Sequence, residues 1–311
     1  MKAWSLNYRD LSMPRGGYPG NTKVRDEPPM IPLSDGAGEV LAVGKKVKEF
    51  KVGDRVCTTF CTTFFRDWDS GSIAQVHVDS GRGGAIDGVL AEQISVPERS
   101  LVLAPKHLDF PEAATLPCAA LTAWNAIQQA SLAKGDKVLI LGTGGVSLFA
   151  LQFAEALGFS SILTSSSNEK LERAKEISSF YGINYSEQPE WSEEVLRLTK
   201  GRGVDLVLEV GGTGTLAHSI KACAVGGNIA LIGVLAAGAE NPSPMDIMFK
   251  SLRVQGIYVG SRAMFKQMNK LISDSALKPI IDKEFSFDAV PEAYRYLKSA
   301  AHFGKIVIRA N

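Results

Sequence analysis

The chain has 311 residues, 45% of them hydrophobic, and a formal net charge of +1 with no long run of like charge. That length suits about two domains with real cores, and the near-neutral balance leaves no electrostatic footprint for nucleic acid or an anionic membrane surface. No stretch of about 18 apolar residues offers a membrane span, Asn7, Arg9 and Asp10 interrupt any secretory leader, and four irregularly spaced cysteines (Cys57, Cys61, Cys118 and Cys223) suit a reducing compartment, so a cytoplasmic protein acting on a small molecule is expected.

Residues 1 to about 105 are rich in Gly, Pro and short β-type runs such as Gly38–Val43 and Asp54–Cys57. Gly53-Asp54 reads as a tight turn, and short strands joined by such turns predict a small all-β module. Residues 66–88, with five glycines, read as a long loop. From about residue 111 strands and helices alternate. Pro111–Gln129 reads as a helix, Lys137–Leu141 as a buried strand, Ser147–Leu157 as a helix and Ile162–Thr164 as a second strand. Asn168 is expected to cap a helix over Glu169–Ser178. Strand Val204–Val210, helix Thr215–Cys223, and strands Asn228–Val234 and Leu252–Val259 follow, then a helix at Pro291–Ser299 and a last strand at Lys305–Arg309. This order predicts an α/β chain with a doubly wound parallel sheet.

The turn Gly142-Thr143-Gly144-Gly145-Val146-Ser147 lies between a predicted strand and a predicted helix. There Gly142 permits the sharp turn, Gly144 lets the backbone approach a pyrophosphate, and the helix N-terminus at Gly145 and Val146 offers free N–H groups. Ser147 stands where the usual pattern has a third glycine, a mild departure. The bland alternative is a structural βα turn. At the end of the second strand, where NAD sites commonly carry an acid, the residues are Thr164-Ser165-Ser166-Ser167-Asn168, followed by Lys170. Hydroxyls and a lysine suit a 2′-phosphate, so NADP (as NADPH) is the expected cofactor. The alternative is that Ser165–Ser167 only begin a helix and Lys170 is solvated.

Several segments together resemble the medium-chain dehydrogenase/reductases, specifically their zinc-independent, quinone oxidoreductase-like branch. They include Asn7-Tyr8-Arg9-Asp10, Gly17-Tyr18-Pro19, Pro32–Val40, Val52–Val56, Leu116–Trp124, Gly142–Ser147, Ile183-Asn184-Tyr185 and Phe303–Val307. The resemblance implies a GroES-like β-barrel catalytic domain from residues 1–118 and 263–311, and a Rossmann dinucleotide-binding domain at 119–262. It also implies further barrel strands ahead of Asn7, so the barrel is expected to be N-terminally truncated, with an open edge. Carried over by position, Asn7 and Thr122 are implied neighbours of the nicotinamide, and Lys170 and Tyr185 contacts of the adenosine phosphate. Gly211, Gly233 and Val234 are implied at strand ends bordering the dinucleotide, and Phe303 and Gly304 at a closing contact. Zinc-dependent relatives place Cys at Asn7 and His-Glu at Ser34-Asp35. Cys118 alone matches a ligand position, and one thiolate cannot build a three-ligand site, so no metal is expected.

Without a Lewis acid, hydride delivery to an already electrophilic quinone or activated alkene is the easier chemistry. Tyr18 is a candidate to donate a hydrogen bond or proton to the developing oxygen charge, or else a packing residue of a loop. Asn7 is a candidate to donate its amide, or else a turn residue. The competing expectations are a zinc-less alcohol dehydrogenase and a non-catalytic NADP-binding sensor or interaction protein. A homodimer pairing across strand Leu252–Val259 is also expected.

Overall fold

Ala3, Trp4 and Ser5 are fully buried near one end of the chain, and they owe this to strands far away in sequence. In the computed structural model, which describes residues 1–16, 29–65, 73–236, 238 and 242–310, the strands run in the order β1 (Ala3–Ser5), β2 (Asp35–Glu39), β3 (Arg55–Thr58), β4 (Leu101–Leu103), β5 (Lys137–Ile140), β6 (Ser160–Ser165), β7 (Phe180–Asn184), β8 (Val204–Glu209), β9 (Cys223–Leu231), β10 (Arg253–Gly256), β11 (Ile281–Ser286) and β12 (Lys305–Arg309). They form two six-stranded sheets. One belongs to a unit of residues 1–121 and 259–311, the other to a unit of residues 122–258.

The first sheet has the order β11-β12-β1-β2-β3-β4. Trp4 lies opposite Ile308 on one side and Gly36 on the other, both in antiparallel pairing. β1 is paired on both sides, and the open edges of this sheet are β11 and β4. The Trp4 indole packs among Leu6, Leu33, Val89, Leu297, Ile306 and Ile308. Its ring lies 5.0 Å from that of Phe287, and its Nε1 donates to the Val89 carbonyl at 2.5 Å, so the polar edge of a large apolar group is satisfied on burial.

The second sheet, β10-β9-β8-β5-β6-β7, is parallel throughout. Its central strands are apolar runs because both faces are covered; Val138, Leu139, Ile140, Val207 and Leu208 are all fully buried. The chain starts in the middle at β5, builds outward through β6 and β7, then returns to β8 on the other side. The strand order therefore reverses between β5 and β8, the place where open α/β sheets bind ligands.

Three readings change. The helix read over Pro111–Gln129 is three segments: Phe110–Ala114, a π-helical turn at Leu116–Ala120, and Leu121–Gln129. Pro117 has no N–H and its ring crowds the preceding turn, so the ladder widens there. The helix after β6 is capped by Ser167, whose side chain accepts from Lys170 N, and Asn168 is its first helical residue. Strands β7 and β11 and the helices Trp191–Leu198 and Arg262–Asp274 were not anticipated. Both unanticipated strands are edge strands, mostly polar and exposed, which leaves little apolar pattern to read.

Because Trp4 joins β1 to the core of its unit, Trp4→Ala should lower unfolding stability by about 3–5 kcal/mol. Urea denaturation measures this; a loss under about 1 kcal/mol would show that β1 is dispensable to that core.

Candidate functional site

Unit 122–258 carries a backbone cradle. Gly142, just past β5, has φ +74°, a conformation that favours glycine. Its N–H donates to Thr164 Oγ1 at 3.3 Å. Gly144 precedes the helix Gly145–Leu157 with no side chain capping it, and a Cβ built there would meet nothing within 4 Å. The first-turn amides at Gly145 and Val146 thus head a thirteen-residue helix, with the positive end of its dipole beside open space. Ser147 substitutes for the third glycine without strain: it is buried, and its Oγ donates to the Leu141 carbonyl at 2.6 Å.

Next along the sheet, Gly211 follows β8 and Gly233 follows β9. A Cβ on Gly211 would lie 2.2 Å from Thr215 Oγ1, and one on Gly233 2.3 Å from the Val210 carbonyl oxygen; both are needed for close packing. The β8 turn is organised by Glu209, which the sequence reading missed. Its fully buried carboxylate accepts from Gly211 N (2.7 Å), Gly212 N (2.9 Å) and Thr215 Oγ1 (2.6 Å), and from Ser219 Oγ. A buried acid is normally a cost; four donors offset it here and fix the loop. Val234 is exposed. Thr122 is buried in the helix Leu121–Gln129.

At the ends of β6 and β7, Ser165 is buried and its Oγ accepts from Ser167 N at 3.2 Å, whereas Ser166 is exposed. Tyr185 is 41% exposed, and its N–H donates to the Ser165 carbonyl. The structure therefore brings Ser165, Ser166 and Tyr185 to one end of the sheet, with Lys170 in the first turn of the adjoining helix Asn168–Lys175. A further acid lies there, also missed from sequence: Glu187 Oε1 accepts from Asn168 Nδ2 at 2.5 Å and Asn184 Nδ2 at 3.1 Å.

Unit 1–121 with 259–311 holds a second, largely buried polar cluster. Ser5 pairs with both Val307 and Asp35. Continuing that antiparallel register by two residues sets Asn7 opposite Lys305. Lys305 is buried, and its Nζ donates to the Leu6 carbonyl at 2.5 Å and to Asn7 Oδ1 at 2.7 Å. Asp35 is fully buried: its Oδ1 accepts from Ser34 Oγ at 2.6 Å and its Oδ2 from Cys118 N at 3.1 Å. Burial pushes the Asp35 carboxyl up, opposed by Lys305 and by hydrogen bonding from Ser34 and Asn7. Burial pulls Lys305 down, opposed by the nearby Asp35, Cys118 and Asp10. Burial, then the Asp35 charge, push the Cys118 thiol far up, so it stays protonated. Asp10 Oδ2 accepts from Asn7 N at 2.7 Å, and burial raises its carboxyl to about 6. Phe303 is buried and Gly304, at φ +83°, would place a Cβ 2.5 Å from the Ile280 carbonyl. Tyr18 lies outside the described residues.

Two family profiles match the sequence. One, described as an alcohol dehydrogenase GroES-like domain, covers residues 1–106; the other, described as zinc-binding dehydrogenase, covers residues 145–274. A zinc-type alcohol dehydrogenase-like protein of Schizosaccharomyces pombe is 42% identical over 99% of this chain and 89% of its own length. The chain belongs to the medium-chain dehydrogenase/reductase family. The 2-methylene-furan-3-one reductase of Solanum lycopersicum is 32% identical over 93% of this chain and 66% of its own. The crystal structure of a putative alcohol dehydrogenase from Sinorhizobium meliloti superposes with a TM-score of 0.90 at 42% identity, covering 99% of this chain and 89% of that one. The GroES-like and Rossmann-type architecture is thus that of the family.

One profile name carries zinc, and the donor set here does not fit a catalytic zinc ion. The cluster offers an amide, a hydroxyl, one buried acid and one protonated thiol around a resident ammonium. Zinc needs three deprotonated or imidazole ligands, and among the described residues no group of three or more His, Cys, Asp or Glu could hold a metal.

Asp10 also sets a pH dependence. Its folded pKa, about 6, lies above the ordinary 3.8, so its neutral form favours the fold. That contribution is full below about pH 4 and is lost as pH rises through about 6. Asp10→Asn should therefore gain stability relative to the parent, by roughly 1–3 kcal/mol, between pH 4 and 7. Denaturation at both pH values tests it; a pH-independent difference would refute the buried-acid account.

Proposed function

We propose that the protein is a zinc-independent, NADP-dependent oxidoreductase that delivers hydride to an α,β-unsaturated carbonyl compound or a quinone. The observation that carries this reading is the cluster of Asn7, Ser34, Asp35 and Cys118 around the Lys305 ammonium, where a catalytic zinc would require metal donors. A chain without a Lewis acid at that point is better suited to an acceptor that is already electron-poor, and a related tomato protein is by name a reductase of such an enone.

The residues that would hold the cofactor are Gly142, Gly144, Gly145 and Val146 at its pyrophosphate, with Gly211, Gly233 and Val234 at the neighbouring strand ends. Ser165, Ser166, Lys170 and Tyr185 would sit at its adenosine phosphate, and Thr122, Phe303 and Gly304 toward the nicotinamide. Bound NADPH supplies the hydride. Asn7 would donate an N–H to the substrate oxygen as negative charge gathers there. Water or Tyr18 would supply the proton that, with the hydride, completes the saturated product. Glu187 favours a second reading on cofactor choice: its carboxylate, at the same strand end, would repel a 2′-phosphate and accept from a ribose hydroxyl of NAD.

No helix among the described residues is long and apolar enough to cross a membrane, and all four cysteines are free. Both features suit the cytoplasmic setting we propose. We also propose a homodimer through β10, an exposed edge strand with exposed Met248 and Phe249 in the preceding helix.

Purified protein should oxidise NADPH with a small enone or quinone and not with a saturated ketone. Binding without turnover on any of these would leave only a sensor role. Lys170→Ala should weaken NADPH binding roughly tenfold or more and leave NADH unaffected; tighter binding of NADH by the parent would instead support Glu187. Light scattering after size exclusion should give a dimer that Val254→Asp converts to monomer, and a monomeric parent would remove the dimer.

A further inference from the structure

Lys305 is a lysine on the innermost face of a strand, with no room for its charge to reach water: the residue is 3% exposed. A buried lysine usually costs several kcal/mol unless its donors are taken. Two are, by the Leu6 carbonyl and by Asn7 Oδ1. The second contact has a chemical consequence. An ammonium has donors and no acceptor, so the Asn7 atom facing it has to be the carbonyl oxygen, and the amide nitrogen must point the other way. On that other side lies Asp35, close enough for Asn7 to oppose the upward push of burial on its carboxyl, and itself pinned by Ser34 Oγ and Cys118 N. The amide thus lies between Lys305 and Asp35. Its Nδ2 is buried and leans toward Asp35 without completing a well-formed hydrogen bond among the described residues. An amide nitrogen carries two N–H groups, so with one turned toward Asp35 the other still calls for an acceptor, and a ligand group is one.

We propose that Lys305 is a positioning residue: it turns and polarises the Asn7 amide so that Nδ2 is presented to the oxygen of the bound acceptor. This rests on the reductase reading and deepens it. A cation on the carbonyl oxygen draws electron density out of the amide, which strengthens its N–H groups as donors. The pair does in a modest way what a Lewis acid does directly: positive charge at Lys305 is relayed through one amide to the place where oxygen charge develops. No proton leaves Lys305 and no bond is made or broken there.

The test uses Lys305→Met, unbranched and of similar length, with Lys305→Arg as the charge-conserving partner and Asn7→Ala as the reference. With an enone and NADPH, Lys305→Met should lower kcat roughly ten- to hundredfold, with the KM for NADPH unchanged. In the Lys305→Met/Asn7→Ala double variant the losses should not multiply, because both remove the same donor. Lys305→Arg should recover most of kcat. Multiplying losses, or an equal rise in KM for the cofactor, would overturn the proposal in favour of a purely structural lysine. A second measurement needs no turnover. In protein labelled with 15N-asparagine, the Asn7 side-chain amide pair, identified by its absence in Asn7→Ala, should be displaced from the random-coil position and slow to exchange. It should collapse toward that position in Lys305→Met and persist in Lys305→Arg. An unmoved Asn7 pair in folded Lys305→Met refutes the positioning role whatever the activity. If the methionine variant does not fold, a random-coil Asn7 pair in the parent does the same. A displaced pair together with no enone or quinone turnover would count against the reductase reading alone.

Discussion

A positive charge enclosed away from water must be met by acceptors held in place by the rest of the fold, and Lys305 imposes that demand on its unit. Its partners are Leu6 and Asn7, just after β1, so the ammonium is satisfied only when the two ends of the chain share one register. A slip of one residue would turn every side chain to the opposite face and leave the charge without acceptors. The same register stacks Trp4 into the apolar core beneath the sheet. Packing and the polar cluster are therefore two faces of one alignment.

The other unit meets a different demand. Its parallel sheet converges on the carboxyl ends of β5 and β8, where order reverses, and the loops there must bring backbone close to a ligand. Gly142 makes the sharp turn by its positive φ, and Gly211 leaves room for the Thr215 side chain. Glu209 then anchors the β8 loop with one buried carboxylate and four donors. The cradle is rigid on this side and open above Gly144, a combination suited to holding a diphosphate by N–H groups rather than by charged side chains.

Legibility in the sequence followed burial. Strands β5, β6, β8 and β9 could be read because strands covered on both faces are apolar throughout. β7 and β11 could not, because edge strands carry polar residues on exposed faces. The helix over residues 110–129 was readable as helical but not as broken: Pro117 sits within a strong apolar pattern, and the π turn depends on how the following segment packs. In the site, Gly142–Ser147 was legible because its residues are contiguous and the chemistry of a βα turn is local. Asn7 was legible only through family likeness. Lys305 was not singled out, since a lysine beginning an apolar strand ordinarily reads as a charge that reaches solvent. Glu209 went unremarked for the same reason.

The amino-acid sequence by itself determined the two textures of the chain, the strand–turn–helix at Gly142 and the shortage of metal donors at Asn7 and Ser34. Each of these depends on residue type and on neighbours a few positions away. Only the tertiary structure decided that β1 is interior, that Ser167 rather than Asn168 caps the helix after β6, and that Lys305 faces Asn7 across 298 residues of chain. The physical reason is that strand register and the desolvation of a charge are set by the partner a residue meets, and that partner is chosen by the packing of the whole unit.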